Sequence, residues 1–309
     1  MYKIIAKATL AQDQIRAKQR IGCDGIEIQL CNELLGPKGP HDWLDVDKIF
    51  KLDKFLGKNI VAVHMPIIHS RGGDPCLEWC VDEDDIKILD SVFYIANYFG
   101  EKEDRDIRII IHSESNMSIL KDTSNIWDSI VENVGLLLNK YPRTILCIEN
   151  VTPCRNISSG KVIQFSNNFY EDNVQMCKAL RKELKTDRIG LVLDLCHQGI
   201  TEKYMNLIYS LSPKLKMPDF SIEHYIKTYS PYLKIIHIAD SRENGYGDNH
   251  GIPFEDVDKF NHIMDLICKY VDENCYLTLE VREEDYLINK NYRKQKQLVD
   301  NYFKEKNNG

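Results

Sequence analysis

Six short apolar runs in this chain each end on a residue that can hold a metal or move a proton. Val61-Ala62-Val63 leads into His64, and Ile109-Ile110-Ile111 into His112. Cys147-Ile148 gives Glu149-Asn150, and Leu193 gives Asp194, with His197 three residues on. Ile235-Ile236 gives His237, followed by Asp240, and Thr278-Leu279 gives Glu280. A polar segment later than His237 adds Asp248-Asn249-His250. Each residue alone has an ordinary structural reading. A strand-end histidine is commonly a hydrogen-bonded core group, and an Asp, Asn or Ser there is commonly the N-cap of the next helix, as Ser113, Asn150 and Asp240 can be. Together, four carboxylates (Glu149, Asp194, Asp248, Glu280) and five imidazoles (His64, His112, His197, His237, His250) would be costly to desolvate in one buried mouth. A divalent metal explains them, because imidazole nitrogen and carboxylate oxygen are its normal ligands. His41, His69, His224 and His262 fall in loops or helical patterns and read as surface or supporting groups.

Residues so far apart in sequence need a scaffold on which strand ends converge. Eight apolar runs supply it: Lys3 to Lys7, Gly25 to Leu30, Ile60 to His64, Arg108 to His112, Thr144 to Glu149, Ile189 to Asp194, Leu233 to Ile238 and Tyr276 to Val281. Their composition suits parallel strands buried on both faces. Helical stripes lie between them, over Asp84 to Phe99, Ser124 to Leu138 and Val257 to Tyr270, with a last helix over Tyr292 to Phe303. Alternating strands and helices predict an α/β fold, a (β/α)₈ TIM barrel, with residues 1–309 as one domain. The long segments after strands, Cys31 to Asp47, Ile67 to Asp82, Thr152 to Asp172, Gly199 to Phe220 and Ser241 to Asp256, are expected to build the active-site face. An open doubly wound sheet would call for a glycine-rich phosphate turn, and Gly36, Gly39 and Gly72-Gly73 do not form one.

Composition narrows the function class. The 309 residues are 43% hydrophobic and 28% charged, an ordinary globular balance. A net charge of −7 lends no support to a nucleic-acid partner. No apolar run approaches the ~20 residues that span a bilayer, so no membrane partner is expected. The N-terminal Met1-Tyr2-Lys3-Ile4-Ile5 lacks the regions of a signal peptide. Ten cysteines occur without a Cys-x-x-Cys pair, which fits a cytoplasmic protein with free thiols.

The ordered set His64, His112, Glu149-Asn150, Asp194-x-x-His197, His237 with Asp240, Asp248-x-His250 and Glu280 resembles the xylose isomerase-like TIM-barrel superfamily. That superfamily includes sugar and sugar-phosphate isomerases and epimerases, and the endonuclease IV group that cleaves DNA at abasic sites. The resemblance runs from the third strand to the eighth. It implies one metal on His64, His112 and Glu149, and a second on Glu149, Asp194, His237 and Glu280, with Glu149 bridging. It implies a third on His197, Asp248 and His250. The epimerase-like members use a single metal on the second set. Two features depart from the nuclease pattern. The Gly-x-Gly turn is replaced by His250-Gly251-Ile252-Pro253-Phe254. The loops Gly36 to Trp43 and Ile67 to Gly73 offer only Lys38, Trp43 and Arg71 as DNA contacts.

Two chemistries share the set. The reading placed first is a metal-dependent sugar or sugar-phosphate isomerase or epimerase. There the metal stabilises an enediolate, and Glu149 and Glu280 remove and return a proton from opposite sides of the barrel axis. His197 and Arg242 would orient the sugar, and Trp43, Trp79 or Phe254 would stack on it. The alternative is an endonuclease IV-like zinc phosphodiesterase, with Glu149 steering the attacking water and Arg71, Arg155, Lys161 and Arg242 touching phosphate. A barrel that binds a ligand without catalysis is a third possibility, opposed by the complete ligand set. The expected cofactor is zinc or manganese, two or three ions, or one in a pure epimerase. A small sugar or sugar phosphate ranks ahead of DNA as substrate. Replacing Glu149 by Gln is expected to abolish activity and, by relieving carboxylate repulsion, to favour the metal-free fold.

Overall fold

The computed structural model describes residues 2–31, 35–36, 39–40, 46, 50–66, 83–112, 124–152, 154–156, 162–165, 170–211, 218–241 and 250–308. Eight parallel strands close into a barrel. They are β1 (Lys3–Ala8), β2 (Gly25–Gln29), β3 (Ile60–His64), β4 (Ile107–His112), β5 (Thr144–Glu149), β6 (Ile189–Asp194), β7 (Leu233–Ile238) and β8 (Tyr276–Leu279). Closure is by β8 against β1, with Lys3 opposite Tyr276 and Ala6 opposite Leu279. Around the barrel they carry α1 (Gln12–Ile21), α2 (Glu83–Glu103), α3 (Ser124–Lys140), α4 (Tyr170–Leu184), α5 (Leu195–Ser210), α6 (Ile222–Tyr229), α7 (Val257–Tyr270) and α8 (Lys290–Asn308). Each predicted strand is present, four with the expected bounds and four with one end shifted by one or two residues. The predicted helices extend by up to five residues, because last turns rich in Lys, Glu and Asn show no apolar period to mark them. Cys196 lies in the first turn of α5 and is buried there. No helix among the described residues is long and apolar enough to cross a membrane.

Strand alternation determines what fills the barrel. Ala62, Ile110, Cys147, Val192 and Ile235 form a small buried cluster of their own, apart from the larger core under the helices. Each stands two residues before a site residue: His64, His112, Glu149, Asp194 or His237. A spacing of two puts both side chains on one face of a strand. The five apolar side chains are thus a floor inside the barrel, and the five polar ones are the next layer toward the carboxyl ends. The same rule brings in Glu27 from β2 and Thr278 from β8.

Three short hairpins follow β2, β5 and β7: Leu35–Gly36 with Gly39–Pro40, Cys154–Asn156 with Val162–Phe165, and Asp240–Ser241 with His250–Ile252. They lie in segments whose length marked them as site-building loops. The third is latched to the barrel. Gly251 has φ +90°, and its carbonyl accepts from Arg282 N at 2.7 Å. A Cβ there would meet the Arg282 side chain at 2.8 Å, so glycine is required both by dihedral and by space.

Candidate metal centre

The polar layer contracts on Glu149. Ligand atoms of His64, His112 and Glu149 lie within 4.8 Å of one another, and so do those of Glu149, Asp194, His237 and Glu280. Glu149 is buried, and its two oxygens face different ways. Oε2 is 3.1 Å from His64 Nε2 and 3.4 Å from His112 Nε2. Oε1 is 3.1 Å from His237 Nδ1 and 3.7 Å from His197 Nδ1. His237 Nδ1 also lies 2.7 Å from Glu280 Oε2 and 3.8 Å from Asp194 Oδ2. One carboxylate therefore joins two donor sets.

Surrounding hydrogen bonds fix which atom of each ring points inward. His64 Nδ1 is 2.8 Å from Met65 O, which can only accept, so Nδ1 carries the hydrogen and Nε2 turns a lone pair toward Glu149. His197 Nδ1 is likewise committed to Asn150 O at 2.9 Å. Asn150 also pairs with the main chain of Asp194 in both directions, donating to its O at 3.0 Å and accepting from its N at 2.7 Å. It acts as a clamp between β5 and β6. Asp194 ends β6 and caps α5 at once, with Oδ1 accepting from His197 N at 2.6 Å. That leaves Oδ2 buried, with no hydrogen bond among the described residues. His237 meets carboxylates through both nitrogens, Nδ1 as above and Nε2 at 3.1 Å from Glu27 Oε2.

These contacts have electrostatic consequences. Burial lowers His64, and the charge of Lys7 adds to it, so the ring is neutral and fit to donate a lone pair. Burial alone would lower His237, but Glu27, Glu280 and Glu149 hold it well above the ordinary imidazole value. Glu149 is pushed up by burial, yet the charge of His237 and the hydrogen bonds of His112 and His237 bring it well below the usual carboxylate range. Asp194 stays raised: burial, Glu280 and Glu149 outweigh the help of His197. A cation would relieve each misfit. On the second set it would receive the buried Asp194 Oδ2, and on the first it would accept the Nε2 lone pair that His64 turns toward Glu149. The donor set is all imidazole and carboxylate, which suits zinc or manganese.

Six of the nine predicted ligands are thus brought together: His64, His112, Glu149, Asp194, His237 and Glu280. His197 adjoins them. Asp248 and the side chain of His250 lie outside the described residues, as do Trp43, Arg71, Arg242, Lys38 and Lys161 and the side chain of Arg155. Asp240, named with His237 in the resemblance and as a possible helix cap, accepts from Ser241 N at 2.8 Å and from Lys259 Nζ at 2.7 Å, so it stabilises the hairpin. Glu149 on β5 and Glu280 just after β8 stand three strands apart in the barrel order and meet in one cluster. One reading needs correction: Phe254, a stacking candidate, is buried against Phe260 rather than open to a sugar, while Trp79 lies outside the described residues. Sequence reasoning missed Lys7, Glu27 and Gln29. Lys7 donates to Glu280 at 2.7 Å, and Gln29 donates to Leu30 O at 2.7 Å and Met65 O at 3.0 Å beside His64. The signal was present as charged or amide residues within the apolar runs of β1 and β2, but it lacks the strand-end pattern that marks the later ligands.

No family model matches the chain. A probable endonuclease 4 of Mycoplasma genitalium is 24% identical over 220 residues, which cover 67% of this chain and 64% of that protein. The chain thus matches less than two thirds of that relative's length. Among solved structures, a D-tagatose 3-epimerase-like protein superposes with a TM-score of 0.57 at 14% identity, over 99% of this chain and 98% of that one. Endonuclease IV from Thermus thermophilus superposes with a TM-score of 0.54 at 12% identity, over 97% and 99%. The 3-keto-D-glucoside 4-epimerase of E. coli gives 0.52 at 12%, over 98% and 100%. With eight parallel strands closed into a barrel and neighbours of both kinds, the chain has the xylose isomerase-like TIM-barrel fold.

Proposed function

We propose that this chain is a divalent-metal phosphodiester hydrolase of the endonuclease IV kind. The supporting observation is the split of Glu149, whose two oxygens face two separate donor sets. A single-metal proton-transfer enzyme needs only the Glu149, Asp194, His237 and Glu280 set. It has no use for His64 and His112 with Nε2 atoms turned on the other oxygen of Glu149. The curated relative matched by sequence is named an endonuclease, which points the same way. Reasoning from the loops ranked the isomerase first, but Lys38, Trp43 and Arg71, on which it drew, lie outside the described residues, and the bridging carboxylate reverses the order.

His64, His112 and Glu149 would hold one ion, and Glu149, Asp194, His237 and Glu280 a second. His197 would serve a third with Asp248 and His250. Divalent ions so placed supply Lewis acidity, lowering the pKa of water and offsetting charge on phosphate oxygens. In this reading Glu149 orients the attacking water and takes its proton. Asn150 holds Asp194 and His197 in place from behind, and the apolar floor of Ala62, Ile110, Cys147, Val192 and Ile235 excludes water from below. Arg71 and Arg242 would contact the phosphate.

A second reading, the sugar or sugar-phosphate isomerase or epimerase, is favoured by a different observation. The Glu149, Asp194, His237 and Glu280 set is complete by itself and includes two glutamates able to exchange a proton. One experiment separates the two. Zinc- and manganese-loaded protein is incubated with duplex DNA carrying an abasic analogue, and in parallel with ketoses and ketose phosphates in deuterated water. Incision beside the lesion, lost in Glu149→Gln, is expected. Deuterium entry into a ketose with intact DNA would overturn the hydrolase in favour of the isomerase.

A further inference from the structure

Lys7 and Glu27 are charged side chains of the barrel interior that belong to neither donor set yet touch members of the second. Glu27 is fully buried. Its Oε2 is 3.1 Å from His237 Nε2 and accepts from Thr278 Oγ at 3.0 Å, while its Oε1 lies 3.4 Å from Lys7 Nζ. Lys7 reaches on to Glu280 Oε1 at 2.7 Å. Packed barrels fill such interior positions with branched apolar side chains. Two charges there carry a large desolvation cost, which calls for a compensating role.

The geometry supplies one. His237 has two nitrogens, and only Nδ1 faces Glu149, Asp194 and Glu280. A carboxylate behind Nε2 holds the hydrogen on that atom, leaves the Nδ1 lone pair for a cation, and raises the donor strength of the ring. We propose that Glu27 is a positioning residue that fixes His237 as an Nδ1 metal ligand, with Lys7 tying Glu27 and Glu280 into one unit. The affinity of the second metal set then depends on β1 and β2, strands that contribute no ligand. The inference rests on the reading that this set holds a divalent ion, and it is indifferent to which reaction follows.

The test uses zinc alone. Affinity is measured by competition with a chromophoric chelator, and the His237 tautomer by long-range ¹⁵N–¹H correlation of the zinc-loaded protein. Wild type should show Nε2–H and a ligated Nδ1. Glu27→Gln, whose amide oxygen can still accept from Nε2–H, should keep that tautomer and most of the affinity. Glu27→Ala should lose the single tautomer and bind zinc roughly 10–100-fold more weakly. Should Glu27→Ala misfold through its stranded Lys7, the double variant Glu27→Ala/Lys7→Met removes that ammonium and must show the same loss. Unchanged affinity and tautomer in the folded alanine variant would overturn the proposal. Absence of zinc from wild type would instead overturn the metal site on which it rests.

Discussion

Lys18 offers a quantitative test of the fold away from the metal centre. It lies on α1 and is only 1% exposed, with its ammonium 4.1 Å from the centre of the Tyr292 ring on α8. Burial pulls its pKa down from 10.5 to about 8, with Glu283 pulling weakly the other way. Each unit is worth about 1.4 kcal/mol, so holding Lys18 ionised in the fold costs about 3 kcal/mol below pH 8. The cation over the ring returns about 1–2 kcal/mol. Lys18→Met keeps the length of the side chain and removes both terms, so a net stabilisation of about 1–2 kcal/mol is expected at pH 7. The sign of the pH dependence follows from the lowered pKa. Between pH 8 and 10.5 the unfolded chain holds a proton that the folded chain has released, so wild-type stability rises with pH across that window. The advantage of the methionine variant should therefore shrink from pH 7 to pH 10. Urea unfolding of both proteins at several pH values reads this directly, and the difference between them cancels every other titration. A methionine variant less stable than wild type by a constant amount at all pH values would refute the reasoning and make the cation a net stabiliser.

Three further outcomes are expected. Glu149→Gln should destabilise the metal-free protein by about 1–3 kcal/mol in urea unfolding at pH 7, because it strips a charge partner from His237. This reverses the gain expected from carboxylate repulsion alone, and a more stable variant would restore that view. Zinc binding should release protons, since His237 is held ionised by Glu27, Glu280 and Glu149 and must free Nδ1. Calorimetry in buffers of differing ionisation enthalpy should detect it, affinity should rise with pH through the neutral range, and binding heats independent of buffer would contradict it. Gly100→Ala should cost about 1–3 kcal/mol despite a better helix former, because its Cβ would meet Arg143 Cβ at 2.6 Å and Arg105 O at 2.8 Å. An unchanged melting temperature would show that the α2 end yields.

The site was legible in the sequence to the extent that strand ends were. His64, His112, Glu149, Asp194, His237 and Glu280 each terminate an apolar run, and barrel closure converts six distant positions into one centre without reference to loop conformation. Asp240 has an ordinary helix-cap explanation in the sequence, and spacing does not register Lys259 arriving from α7. Glu27 escaped because a charge inside Ile26-Glu27-Ile28 reads as the solvent face of an edge strand. Only closure of β1 against β8 makes that face an interior one. The role of Asn150 was hidden for the opposite reason. A strand-end Asn has an ordinary helix-cap explanation, whereas its actual partners are the main chain of Asp194 and the ring of His197, both from the next strand and helix.

Glu149 illustrates how the fold links these two kinds of information. On five strands the residues two positions before the site are apolar, so the carboxylate rests on an apolar floor, and the imidazoles and carboxylates of both sets crowd round it. In that setting four carboxylates, Glu27, Glu149, Asp194 and Glu280, face one ammonium, Lys7, and one imidazolium, His237. Positive charge is in deficit, and the deficit is expressed at Asp194, which is held above its ordinary value by burial and by its anionic neighbours. Two divalent ions would exceed the deficit and one would match it. The same count makes His237 the point of adjustment, because it can give up its proton when a second ion arrives. The chemistry that a bridging Glu149 makes available and the support that Glu27 gives to His237 are therefore two sides of one charge balance.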